Sequence, residues 1–441
     1  MITTHPNGAT ITVMLAARAI NPLSRLFQRE LAALIGKLEA QRPQLAGVIV
    51  GFHAEASDSD HELEHLMALT PAQAGDCMHM LGAYNALLRR LEGLGLPVIA
   101  MLNGAVAGHA LGLVLACHRR IGLADASFCM PQVQLGLTPV AGEITRTVRL
   151  TGLQAAMPLL VDGATLNAAQ ALQAGLVHAV AEDESQAAQL VDVALAAAAL
   201  QPWETRGYRV PGGDLASAPV QALLQVAPAL LRARTGGHAP APEAVLCAMV
   251  EGLQVGFDSA LLIESRYFCQ IAISPVARNL MRLSQIRADL AAPASAQFAA
   301  QLRTALEHEA CALHDEGVPA TLLRNAARAA GLQPLSSPAF APACDDGCTC
   351  APAPPADAAP LPGFDDIRDR LLYALAVAAL RGVKRGAASR DEADLISVRS
   401  CGFPAHTGGA ANFAQYTGSD TFAGRAAALG PRFALPLGWD A

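Results

Sequence analysis

The chain has 441 residues, more than one ordinary domain holds, so two or three domains are expected. Hydrophobic residues make up 52% and charged residues 16%, enough for a large core, and the abundant alanine favours tightly packed helices. The net charge is −7 and no basic stripe is present, which excludes nucleic-acid binding as the expected role.

At the start, MITTHPNGAT has no basic stretch leading into an apolar run, so no signal peptide is expected. Residues 11–18 read as a strand, followed by a helical pattern to about residue 40 and a buried strand at 45–50. The stretches 96–102 and 127–131 are further apolar strand candidates. Strands alternating with helices predict an α/β layered fold with parallel pairing. Residues 186–290 are helical in pattern, and 297–333 give one or two amphipathic helices. Residues 336–363, rich in Pro, Ala and Asp, read as a linker. A helix resumes over 365–385, and a glycine-rich turn at 402–409 precedes a last helical stretch. No segment reaches about 18 uninterrupted apolar residues, so no transmembrane helix is expected. Ten cysteines, such as Cys117 and Cys129 within apolar runs, suggest reduced, buried thiols in a cytoplasmic protein.

Residues 97–143 carry the most information. Pro97, Ile99, Asn103, Gly104 and Gly108 fit a PxIAAVNGxAxGGGxE pattern. Pro131, Leu135, Gly136, Pro139 and Gly142 fit a following PExxLGxxPGxGG pattern. This spacing resembles the crotonase (enoyl-CoA hydratase/isomerase) superfamily. The resemblance implies an α/β crotonase (ClpP/crotonase-like ββα spiral) N-terminal domain. It also implies a CoA thioester as ligand, with coenzyme A part of the substrate and no separate cofactor.

In that family two backbone N–H groups polarise the thioester carbonyl and stabilise an enolate. The resemblance places these donors at His61 and His109. Hydration additionally needs two carboxyl groups. The positions that carry them in the family hold Gly112 and Gln132. Glycine supplies nothing, and glutamine can position a water but cannot take its proton. The aspartate of dehalogenase-type members and the glutamate of isomerase-type members both fall at Val140. Glu143, where the family has a glycine, is the one nearby carboxylate. It is a catalytic candidate if the turn tips inward, although a glutamate opening a helix is more often solvated. His61 and His109 are alternative acid/base candidates by their intrinsic pKa.

Two further motifs compete for attention. His61-Glu62-Leu63-Glu64-His65 satisfies HExxH, which on a helix would put His61 and His65 on one face for zinc. No third ligand is identifiable, so no metal is expected there. Cys344, Cys348 and Cys350 lie in the proline-rich stretch, and their spacing fits no standard structural zinc site. Metal binding and disulfide formation both stay open for them.

The chain also resembles the multifunctional family of fatty-acid-oxidation complex α-subunits over nearly its whole length. Residues 239–290 are similar to that family's helical linker. Residues 297–333 and 365–430, with the GFPAHTGG turn, are similar to the two all-α repeats of its 3-hydroxyacyl-CoA dehydrogenase part. The implied domains are a crotonase-like core at 1–190, a helical linker at 191–292, a first repeat at 293–335, a Pro/Ala-rich linker at 336–363 and a second repeat at 364–441. No GxGxxG follows a strand near residue 290, and the family's active-site asparagine falls at Ala300. NAD-dependent dehydrogenase activity is therefore not expected. Asn412, Tyr416 and His406 resemble structural residues.

Two readings stand at this point. One is an acyl-CoA enzyme with non-standard enolate chemistry (isomerase, hydrolase or lyase), its catalytic set drawn from Glu143, Gln132, His61 and His109. The other is an inactive acyl-CoA-binding or assembly paralogue of the multifunctional β-oxidation enzyme. A homo-oligomer or a thiolase-like partner is compatible with either.

Overall fold

The computed structural model describes residues 1–53, 60–197, 199–335 and 361–440, with only the backbone for 60–62. They fall into two compact units, Met1–Arg278 and Asn279–Ala441.

The first unit opens with strands β1 (Ile2–Asn7) and β2 (Thr10–Ala16), paired antiparallel. Their two-residue turn begins at Gly8, with φ +57, a conformation glycine adopts without penalty. β1 escapes the sequence reading because it is an edge strand containing Pro6, a residue that demotes a strand prediction. Next come α1 (Arg25–Gln41), β3 (Gly47–His53), α2 (Asp60–Met67), α3 (Ala74–Glu92), β4 (Val98–Leu102), β5 (Ala105–Ala107) and α4 (His109–Leu115). They are followed by β6 (Arg119–Leu123), β7 (Ser127–Cys129), α5 (Glu143–Thr151), α6 (Leu153–Leu160), β8 (Leu166–Asn167), α7 (Ala168–Ala174), β9 (Ala179–Ala181) and α8 (Glu184–Leu195).

Six strands form one sheet in the order β1-β2-β3-β4-β6-β9, parallel from β2 onward. β5, β7 and β8 form a second, smaller sheet. The apolar runs seen in the sequence are the central strands: Val48, Val50, Val98, Ile99 and Ala100 are buried, as parallel strands covered on both faces require. The helices α9 (Ala218–Thr235), α10 (Pro240–Leu253) and α11 (Phe257–Ala272) complete this unit. α11 packs on α3 and α5, and α10 on α5 and α6, so most of the segment expected as a linker shares one unit with the N-terminal strands and helices. Among the described cysteines, Cys77, Cys117, Cys269 and Cys401 are buried, while Cys247 is exposed.

His118 ties β4 to the end of α3. Its Nδ1 accepts the Val98 N–H at 3.0 Å, and its Nε2 bonds the Glu92 carbonyl at 2.9 Å. The ring can do both only when neutral. Burial accordingly holds its pKa below the ordinary histidine value. An unfolded chain protonates this ring below about pH 6.5, whereas the native state resists. Stability is thus fully present above that pH and falls as the pH drops, by up to about 1.4 kcal/mol per pH unit until the native ring itself titrates. Urea midpoints measured from about pH 7.5 to about pH 5.5 are expected to fall, and to fall less steeply in His118→Gln.

α12 (Pro275–Gln285) contains the boundary between the units. The second unit is helical: α13 (Pro293–Asp315), α14 (Ala320–Ala329), α15 (Phe364–Lys384), α16 (Arg390–Cys401), α17 (Phe413–Thr417) and α18 (Ser419–Ala428). The segments expected as two repeats share a single core that includes Phe298, Leu302, Leu371, Leu375, Phe403 and Phe422. Asp394 is fully buried, and its carboxylate accepts the N–H groups of Ala411 and Asn412 and pairs with Arg282. The glycine-rich turn is therefore held by a side chain of α16. Asn412 donates to the Thr407 carbonyl, and His406 stands edge-on to Tyr416. All but residues 361–363 of the expected 336–363 linker, with Cys344, Cys348 and Cys350, lies outside the described residues.

Candidate active site

The site lies where β5 runs into α4. Gly108 caps α4 with φ +54, so the chain turns sharply and α4 begins at once with His109. The 3-10 turn Pro131–Leu135 brings in Gln132, and α5 begins at Glu143. Between them Ala141 (φ +65) and Gly142 (φ +85) are both left-handed. The first is a non-glycine residue in a region that costs roughly 1–2 kcal/mol. These two conformations turn the chain so that α5 begins with Glu143 facing inward.

The outcome is a buried carboxylate, only 1% exposed. Glu143 Oε1 lies 2.6 Å from His109 Nδ1. Its Oε2 accepts Gln132 Nε2 at 2.8 Å and the Val140 N–H at 3.0 Å. A carboxylate can only accept, so the ring proton sits on His109 Nδ1. Gly112 makes room for this arrangement. A Cβ at Gly112 would lie 2.6 Å from Glu143 Cγ and 2.8 Å from Oε1. The Glu143 carboxylate thus fills the space left by Gly112, where the resemblance implies a glutamate.

His109 and Gln132 line a cavity of about 540 Å³. Ile20, Leu66, Leu135 and Phe268 supply apolar wall, and Arg18 and His53 are also on its lining. Glu143 stands behind His109 and Gln132. Three of the four residues singled out from sequence are therefore brought together. His61 lies in the first turn of α2; its side chain is outside the described residues, while Leu63 and Leu66 of the same helix reach the cavity. His65 is exposed on α2. Among the described residues no group of three or more His, Cys, Asp or Glu is placed to hold a metal ion.

α5 is anchored by Arg146, which is fully buried and donates to Glu92 Oε1 at 2.7 Å. Glu92 also pairs with Arg89 at 2.5 Å. Removing one member of a buried pair leaves the other charge uncompensated. Arg146→Met is expected to destabilise the protein by about 3 kcal/mol in urea unfolding, Arg89 limiting the loss. The double variant with Glu92→Leu is expected to recover part of it.

Sequence reasoning missed Glu264, Phe268 and Tyr84. Glu264 was detectable: it interrupts the apolar stripe Ala260, Leu261, Phe268 and Ile271 of α11, where a charge is out of place unless paired. Tyr84 is fully buried, which pushes its hydroxyl pKa upward, with the Glu143 charge adding to the effect.

Residues 6–201 match the model of the enoyl-CoA hydratase/isomerase family. Among curated proteins, the fatty acid oxidation complex subunit alpha of Shewanella loihica is 29% identical over 279 residues. That match covers 61% of this chain and 38% of the relative, so the chain spans well under half of its length. Among solved structures, an enoyl-CoA hydratase/isomerase from Marinobacter aquaeolei is 22% identical, with a TM-score of 0.38, over 44% of this chain and 75% of that one. An enoyl-CoA hydratase from Shewanella pealeana is 21% identical, with a TM-score of 0.39, over 44% and 74%. No helix among the described residues is long and apolar enough to cross a membrane. By this family match, residues 6–201 of this chain form a crotonase-family, enoyl-CoA hydratase/isomerase-like domain.

Proposed function

We propose that this chain binds an acyl-CoA in the cavity beside His109 and performs enolate chemistry with one acid/base unit, as part of fatty-acid metabolism. The observation that carries this reading is the His109–Glu143 pair, which stands beside Gly112 with its imidazole on the cavity wall. The backbone N–H groups of His109 and His61 serve as donors to the thioester oxygen, as the family resemblance implies. His109 Nε2 takes a proton from the carbon next to the thioester, breaking C–H and leaving an enolate. Glu143, bonded to Nδ1–H, fixes the tautomer and stabilises the imidazolium that forms. Gln132 and the Val140 N–H hold the carboxylate in place.

One such unit completes an isomerisation. The proton leaves C2 of a 3-enoyl thioester and returns at C4, moving the double bond into conjugation. Hydration calls for two separate carboxyls, and Gln132 replaces one of them. Hydrolysis or carbon–carbon cleavage would yield different products. The second unit is read as related to the helical C-terminal part of 3-hydroxyacyl-CoA dehydrogenases, serving assembly through a homo-oligomer or a thiolase-like partner.

The test is calorimetry with saturated and 3-enoyl-CoAs, then incubation in D2O with mass spectrometry of the thioester. Deuterium at C2 of the saturated thioester, and a shifted double bond with deuterium at C4 from the 3-enoyl thioester, are expected. Binding without exchange or turnover would instead make the chain a non-catalytic acyl-CoA-binding protein. No binding to any acyl-CoA would sink both readings.

A further inference from the structure

We propose that Glu264 of α11 is a positioning residue for this site: by capping the first turn of α5 it sets the place of Glu143 and, through it, the His109 ring. The link to catalysis rests on the reading above; the link to geometry does not.

α5 starts without a cap of its own. Its N-cap is Gly142, which has no side chain to accept the first-turn N–H groups. A side chain cannot be added there, because Gly142 has φ +85 and its Cβ position is taken by the Arg146 guanidinium. Glu264, well over a hundred residues further along, supplies what is missing. Its Oε1 accepts the N–H groups of Gly142 at 2.9 Å and Ile144 at 3.3 Å. Its Oε2 accepts the Thr145 N–H at 3.0 Å and the Thr145 hydroxyl at 2.7 Å. Four donors, from Gly142 on one side of Glu143 and Ile144 and Thr145 on the other, thus converge on one buried carboxylate.

Such charge-assisted bonds at a helix N-terminus are strong and directional. Glu143 lies between the anchored residues, so its backbone is fixed on both sides. Burial raises the Glu264 pKa to about 7 against the pull of the Thr145 hydrogen bonds. A carboxylate is kept there at an electrostatic cost that a purely apolar contact between α11 and α5 would not incur.

Two variants and two readouts test the idea. Glu264→Gln keeps the shape, but its amide N–H2 meets N–H donors where an oxygen accepted. Thr145→Val removes only the hydroxyl donor. The first readout is the ring nitrogen NMR signal of His109, which reports its bond to Glu143 without any substrate. The second is C2 deuterium exchange alongside the acyl-CoA dissociation constant. Glu264→Gln is expected to move the His109 signal toward that of Glu143→Gln and to slow exchange by about tenfold or more, with binding changed by less than about twofold. Thr145→Val is expected to shift the signal in the same direction by less, and it decides the matter if Glu264→Gln does not fold. An unmoved His109 signal in folded Glu264→Gln, or in Thr145→Val where Glu264→Gln does not fold, overturns the proposal. If the wild type shows no exchange, the functional reading fails, while the NMR signal still tests the positioning role.

Discussion

On the proposed function, Glu143→Gln is expected to slow C2 deuterium exchange of a bound acyl-CoA by about 10²- to 10⁴-fold, the usual contribution of a positioned acid/base unit. The substitution keeps the volume and removes the charge. The amide oxygen can still accept from His109 Nδ1, 2.6 Å away in the wild type. The amide N–H2 then faces Gln132 Nε2 and the Val140 N–H, both of which donate to the carboxylate. Donor against donor cannot stand in a buried site, so the amide rotates and turns its N–H2 to His109 Nδ1, which can accept it only by moving the ring proton to Nε2, the atom that would take the substrate proton. The imidazolium formed on proton transfer also loses its counter-charge. Acyl-CoA affinity is expected to change little, because His109, Gln132 and the apolar residues line the cavity while Glu143 lies behind them. Exchange at the wild-type rate in this variant would show that the pair is not the base.

The second large effect concerns Gly112. Gly112→Glu, which introduces the residue the resemblance implies at this position, is expected to destabilise the protein by at least about 1–3 kcal/mol and to abolish the proposed exchange. Its Cβ would meet Glu143 Cγ at 2.6 Å, so Glu143 must leave its three hydrogen bonds. Adding Glu143→Gly vacates the space and returns a carboxylate to it from α4. The pair of changes is therefore expected to be more stable than the sum of the two single changes, by about 0.5–3 kcal/mol in a thermal or urea double-mutant cycle. Strict additivity would mean that the two residues do not compete for one volume. The further addition of Gln132→Glu rebuilds both family carboxyls, and measurable hydration of a short 2-enoyl-CoA is the expected gain.

Much of the fold is readable along the chain because its signals are local. The runs at 45–50, 96–102 and 127–131 overlap β3, β4 and β7; at β3 and β4 the continuous apolar stretches leave few alternatives to a covered parallel sheet, whereas β7 lies in the smaller sheet, parallel to β5 and antiparallel to β8. β1 was not readable, since an edge strand buries little and Pro6 argues against it. Glu264 was not identified either. Its charge in an apolar stripe hints at a buried partner, but nothing in α11 says that the partner is the backbone of α5.

The sequence by itself determined the family resemblance, through glycines and prolines at fixed spacing, and it put Gly112 and Gln132 where that resemblance expects carboxyl groups. It also offered Glu143, with no means of choosing between a solvated helix start and an inward one. Only the tertiary structure decided that. Two consecutive left-handed residues, Ala141 and Gly142, turn the chain before α5, and the volume freed at Gly112 receives the carboxylate. The physical reason is that close packing couples residues far apart in sequence: a side chain missing on one helix becomes a cavity, and a neighbouring helix fills it.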